Sequence, residues 1–98
     1  MLDEKTIQTA ILRYLNRIPC CIAENVSGNA SQSGRADING CYRGRAFKIE
    51  VKADPKVYGV TKQQALYLKK WSAAGAATAV CTSVADVQQF LEGINEIS

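Results

Sequence analysis

The chain contains no histidine. That absence removes imidazole acid/base chemistry, the serine and cysteine triads that depend on it, and most zinc enzymes. Cysteine offers little in its place. Cys20 and Cys21 are adjacent, Cys41 and Cys81 stand alone, and no C-x-x-C pair occurs, so neither a tetrahedral zinc site nor a disulfide framework is specified. The four thiols read as reduced, small apolar residues. Two prolines and seven glycines in 98 residues exclude a low-complexity or disordered chain. No apolar run approaches the roughly 20 residues of a membrane span. The opening Met1-Leu2-Asp3-Glu4-Lys5 is polar where a secretory leader is basic and then apolar. The expectation is one soluble, cytoplasmic domain over residues 1–98 with a small packed core.

Charge is modest in total and uneven in place. The net charge is +3, yet Arg35 to Lys70 holds nine basic residues against three acids, which leaves the rest of the chain net negative. A basic centre between acidic ends suits a surface that meets phosphate, and Arg35, Arg43, Arg45, Lys56 and Lys62 are its candidate DNA contacts.

Periodicity orders the elements. Asp3 is placed to cap a helix whose apolar stripe, Ile7, Ala10, Ile11, Tyr14, Leu15 and Ile18, runs up to Pro19. Cys20 to Val26 reads as a strand, and the small polar run from Ser27 to Gly34 as a loop. Ala36 to Tyr42 and Arg45 to Lys52 read as a hairpin turning at Arg43-Gly44. Thr61-x-x-Gln64 is a capping box that opens a second helix, with Ala65, Leu68 and Trp71 as its apolar face and Gly75 as its stop. A strand from Ala77 to Thr82 and a last helix, capped by Ser83 and carrying Val84, Val87, Phe90, Leu91 and Ile94, complete the chain. The fold class is α/β, in the order α-β-β-β-α-β-α, with a mixed central sheet flanked by helices.

The hairpin concentrates chemistry. In its second strand Phe47, Ile49 and Val51 alternate with Lys48, Glu50 and Lys52, giving an apolar face and a charged one. A two-residue turn pairs Ile38 with Ile49 and Gly40 with Phe47, and in that register Asp37 faces Glu50. Two carboxylates directly opposite repel, so something must compensate. Lys52, two residues from Glu50 on the same face, can do so as an ion pair. The other solution is a divalent metal, and an all-oxygen site of this kind suits Mg2+ or Mn2+. A hard cation beside a lysine on a basic surface is what phosphodiester hydrolysis requires.

These residues carry a resemblance. Gly34-Arg35-Ala36-Asp37-Ile38 followed by Ile49-Glu50-Val51-Lys52 resembles the PD-(D/E)XK nuclease superfamily, and the element order is similar to its restriction-endonuclease-like core. More narrowly, Glu4, Asp37, Glu50, Lys52 and Gln64, with Gly75 closing the helix, resemble the pattern of the VRR-NUC family of virus-type replication-repair nucleases, over about residues 4 to 82. Ala36 stands where that family commonly has proline, a position that shapes the turn and binds no metal. The resemblance implies a Mg2+- or Mn2+-dependent deoxyribonuclease leaving a 5′-phosphate. Asp37 and Glu50 would hold the metal with the Val51 carbonyl, Glu4 would support it or one of its waters, Lys52 would position the attacking water, and Gln64 would line the site. Stand-alone members are implied to act as homodimers on branched DNA such as four-way junctions. The alternative is a DNA-binding module of the same fold without catalysis. Tyr58, Tyr67 and Trp71 are candidates to stack on bases, although core packing is the expected fate of Trp71, as it is of Ile11 and Phe90.

Overall fold

The computed structural model describes residues 2–26, 36–54 and 60–97. Asp3 starts α1 (Glu4–Leu15) by accepting the Thr6 amide on its carboxylate at 2.8 Å. The strands β1 (Cys21–Asn25), β2 (Ile38–Tyr42) and β3 (Arg45–Val51) follow, then α2 (Lys62–Ala73), β4 (Ala77–Cys81) and α3 (Val84–Ile97). The expected order holds. The four strands form one sheet in the order β1-β2-β3-β4, antiparallel except for the parallel pair β3–β4.

Local chemistry sets the ends of these elements. Arg43 (φ 51°) and Gly44 (φ 85°) both take positive φ, the requirement of the tight two-residue turn that closes β2 onto β3. Thr61 and Gln64 form the reciprocal capping box of α2. At its far end Gly75 (φ 110°) allows a Schellman closure, in which the Ala76 amide donates to the Trp71 carbonyl and the Gly75 amide to that of Ser72, both at 3.0 Å. Ser83 caps α3, accepting the Asp86 amide at 3.1 Å, while Asp86 reaches back to the Thr82 amide and hydroxyl.

The helix α1 stops three residues earlier than its apolar stripe, at Leu15, and Asn16 caps it with its amide still donating to the Leu12 carbonyl at 3.1 Å. Its side-chain amide donates to the Ala23 carbonyl and accepts the Ala23 amide, both at 3.0 Å. Asn16 thereby acts as a one-residue substitute for a neighbouring strand on the outer edge of β1.

The core lies between the sheet and the pair α1/α3. Ile7, Ile11 and Leu15 from α1 and Val87, Leu91 and Ile94 from α3 pack on Ile38, Tyr42, Phe47, Ile49, Val51 and Cys81. Phe90 joins them edge-on to Phe47, with ring centroids 6.1 Å apart. Ile11 and Phe90 thus pack inward as expected. Gly40, opposite Phe47, has a specific reason: a Cβ there would sit 2.2 Å from Phe47 Cζ, so the ring occupies the space that the missing side chain leaves. Burial pushes the Cys81 thiol up to about 12, which makes it an inert core residue.

One expectation is corrected. The helix α2 buries none of its residues, and Ala65, Leu68 and Trp71 do not pack into a core; Trp71 keeps 38% of its surface exposed. The reason lies beneath it. The sheet face that α2 covers is polar, and Trp71 rests its ring against the Lys48 ammonium, 3.8 Å from the ring centroid. For the same reason the charged side of β3 is not a solvated face, since Lys48, Glu50 and Lys52 are all buried.

Candidate functional site

The site is made by β3, the bend that leads into β2, and the first turn of α2. The observed register joins Ile38 to Ile49 and Gly40 to Phe47. One step further it sets Asp37 against Glu50, close enough for the Asp37 carboxyl to act on that of Glu50. Asp37 lies just before β2, not within it, because one of its oxygens (Oδ2) takes the Val51 amide at 2.8 Å in place of a main-chain partner. A side chain thus extends the ladder where the strand ends.

Glu50 is 1% exposed. Burial and the neighbouring Asp37 carboxyl push its carboxyl up to about 8, helped by Glu4, while Lys52 pulls the other way. Glu50 is thereby biased toward its protonated form. Gln64 holds Glu50 from the helix side, its Nε2 donating to Oε1 at 3.0 Å and to Oε2 at 3.2 Å. The same glutamine accepts the Thr61 amide through its own oxygen, so helix cap and carboxylate anchor are one side chain. Lys52 follows β3 with its amide tied to the Cys81 carbonyl at 3.1 Å. Among the described residues, no group of three or more acids and thiols is close enough to hold a metal ion by itself.

A solved structure named "VRR_NUC domain protein" is similar in fold, with a TM-score of 0.67 over 93% of this chain and 89% of that one, at 18% sequence identity. The fold is that of a VRR_NUC domain. In sequence, neither a family model nor a curated protein matches the chain.

Within the VRR_NUC fold, Asp37, Lys52 and Gln64 lie around Glu50, and Glu4, in the first turn of α1, is close enough for its charge to act on Glu50. Lys62 is exposed in the first turn of α2, beside Gln64 in the chain. The two hairpin arginines lie elsewhere. Arg43 sits at the turn, seven residues and roughly 23 Å of strand from Glu50. There it donates to Asn95 of α3 at 3.3 Å and leans over the Tyr42 ring. Arg45 pairs with Tyr42 and alternates onto the α1/α3 side of the sheet. Arg35, Lys56 and Tyr58 fall outside the described residues.

The sequence reading missed Lys48 and Asn39. Lys48 is 7% exposed and donates to Asn39 Oδ1 at 2.6 Å under the Trp71 ring. The signal was present: the register that pairs Asp37 with Glu50 also pairs Asn39 with Lys48. Next to Trp71, the Tyr67 hydroxyl is buried with no hydrogen-bond partner among the described residues. No helix among the described residues is long and apolar enough to cross a membrane.

Proposed function

We propose that this domain is a Mg2+- or Mn2+-dependent DNA endonuclease in which Asp37, Glu50 and Lys52 form one catalytic unit. The observation that carries the reading is the carboxyl pair, Glu50 buried and Asp37 half-buried, with a lysine on the same face. A buried Glu50 carboxyl that the neighbouring Asp37 pushes toward its protonated form is short of positive charge. Two carboxyls with a main-chain carbonyl form an all-oxygen donor set of the type hard divalent ions prefer. The residues fit the ion: Asp37 and Glu50 would hold it, with the Val51 carbonyl and Glu4 beside them. When bound, such an ion supplies Lewis acidity toward a phosphate oxygen and a water of lowered pKa.

The chain's own residues do the rest. Lys52 positions the attacking water and offsets charge that develops on the phosphate. Gln64 fixes the Glu50 carboxyl so that it presents the same oxygens in every turnover. Lys62 serves as a phosphate contact near the cut, Arg35 and Lys56 serve as phosphate contacts of the basic stretch, and Arg43 and Arg45 serve only DNA that extends past the hairpin turn. Binding of this kind weakens steeply with salt and depends little on base sequence. The finer reading is a homodimer acting on branched DNA, four-way junctions in particular, since two sites related by a two-fold axis match opposite strands related in the same way.

Incubation of the purified protein with linear, nicked, flapped and four-way DNA, with Mn2+ or with EDTA, tests the proposal, and cleavage confined to Mn2+ is the expected result. The lack of a third close acid among the described residues favours a second reading, a DNA-binding module without catalysis. Binding without cleavage in Mn2+ would establish it. Sedimentation with and without junction DNA tests the dimer, and a monomer in both that cuts flaps and junctions alike would remove the junction reading.

A further inference from the structure

Beside the carboxyl pair, the part of the α2 side of the sheet that the helix leaves uncovered opens into a cleft of about 340 Å3 over β1 and β2. Ile22, Glu24, Asn39 and Cys41 line it from one face of the sheet. Glu24 and Asn39 are direct partners across the two strands, which brings their side chains within roughly 5.5 Å at Cβ. Asn39 is two residues along β2 from Asp37 on the same face, roughly 7 Å, about one nucleotide step in an extended strand.

The polar groups in the cleft are ordered. Asn39 gives its oxygen to Lys48, which leaves its Nδ2 donors for a ligand. Glu24 is exposed, and its carboxylate oxygens are acceptors. Donor and acceptor therefore stand side by side on neighbouring strands. Ile22, 68% exposed, adds an apolar surface next to them. A phosphate would be repelled by Glu24, whereas Lys48 lies on the side of Asn39 that faces α2. This charge order matches a nucleotide, with its base edge toward Glu24 and its phosphate toward the lysines.

We infer that this cleft is a subsite for one unpaired nucleobase next to the cleaved phosphodiester, with Glu24 and Asn39 reading its hydrogen-bonding edge. The inference rests on the nuclease reading above and deepens it. The edge used in Watson–Crick pairing carries a donor beside an acceptor in every base, so an acceptor beside a donor on the protein engages any base whose own partner is missing. Glu24 and Asn39 thus report whether a base is paired and are indifferent to which base it is. The volume is in the range of about 300–1,000 Å3 typical of small-ligand clefts, which suits a single base.

Fluorescence anisotropy in EDTA, with two labelled duplexes of the same sequence, one fully paired and one with a single-nucleotide bulge, tests the subsite. The wild type should bind the bulged duplex about fivefold tighter, the equivalent of roughly one net hydrogen bond. Glu24→Ala, at an exposed position, should bring that ratio close to one while leaving affinity for the paired duplex within about twofold. Asn39→Asp, which keeps an acceptor for Lys48 but removes the donors, should do the same, with melting curves confirming that both variants fold. Equal binding of the two duplexes by the wild type, or a ratio that Glu24→Ala leaves intact, would overturn the inference. A parallel arm in Mn2+ separates it from the nuclease reading. Cleavage without any bulge preference removes the subsite and keeps the nuclease. A bulge preference that Glu24→Ala abolishes, without cleavage, supports the subsite and removes the nuclease. Failure to bind either duplex removes both.

Discussion

The two sides of β3 are equally dry and chemically opposite. Phe47, Ile49 and Val51 face α1 and α3 and are filled in by aliphatic and aromatic neighbours. One residue out of step, Lys48, Glu50 and then Lys52 face α2 and are just as inaccessible, yet each carries an ionisable group. A side chain that ends in carbon gains from burial, whereas a buried charge costs free energy unless a partner is supplied. The first side therefore stabilises the molecule, and the second holds the Glu50 carboxyl in a state it would not keep in water. Alternation along a single strand lets both coexist within one residue of each other, because the stable side fixes the register on which the other depends.

Activity should give the largest effect when this contrast is broken. Asp37→Ala, Glu50→Ala and Lys52→Ala are each expected to lower Mn2+-dependent cleavage by at least about 10²–10³-fold, with DNA binding in EDTA largely retained; near wild-type cleavage by any of the three would remove that residue from the unit. On the apolar side the counterpart is Phe47→Ala, which should cost about 3–5 kcal/mol in urea unfolding. Gly40→Ala, placing a methyl into the same ring, should cost about 1–3 kcal/mol, and a combined Gly40→Ala/Phe47→Leu variant should recover part of that loss.

The polar side makes stability depend on pH. With its carboxyl raised to about 8 in the fold from an ordinary value of 4.5, Glu50 holds its proton when folded and loses it when unfolded throughout that interval. Its contribution is complete below about pH 4.5 and disappears as pH rises through about 8. Thermal melts in EDTA should fall across this window, and Mg2+ or Mn2+ should restore more stability at pH 8 than at pH 5. Glu50→Gln should flatten the EDTA profile and erase the metal response, whereas the same slope in that variant would assign the pH dependence to another group. The smallest effect is reserved for Tyr67→Phe. Removing a buried hydroxyl without a partner should leave stability unchanged or raise it by up to about 1 kcal/mol, and a clear loss would mean that the hydroxyl has a partner in solution.

Much of this was legible in the sequence because alternation and turn chemistry are local. Arg43-Gly44 and the matched apolar pairs fix the hairpin register, and the register alone brings Asp37 to Glu50. The caps at Asp3, Thr61 and Ser83 and the stop at Gly75 are equally local, and all four are observed. What was not legible depends on packing between distant elements. That α2 lies over a polar surface, so that Trp71 meets Lys48 in place of a core, follows from where β4 returns to the sheet, and no spacing encodes it. Asp37 sits outside β2 because its side chain supplies a ladder hydrogen bond to Val51 that a pattern of residue types does not reveal. The remoteness of Arg43 and Arg45 was available in principle, from seven residues of strand and the parity of position 45.

The amide of Asn16 has a consequence for how copies of this chain behave together. Both outward main-chain groups of Ala23 are occupied by that side chain, in the middle of β1, a strand of only five residues at the rim of the sheet. A strand arriving from another molecule would have to displace the amide before it could form its central pair of bonds, and too few positions remain on either side for a stable alternative. One asparagine thus guards against runaway polymerisation, and its replacement by leucine should appear first as turbidity during refolding at high protein concentration, before any loss of the folded state is measurable.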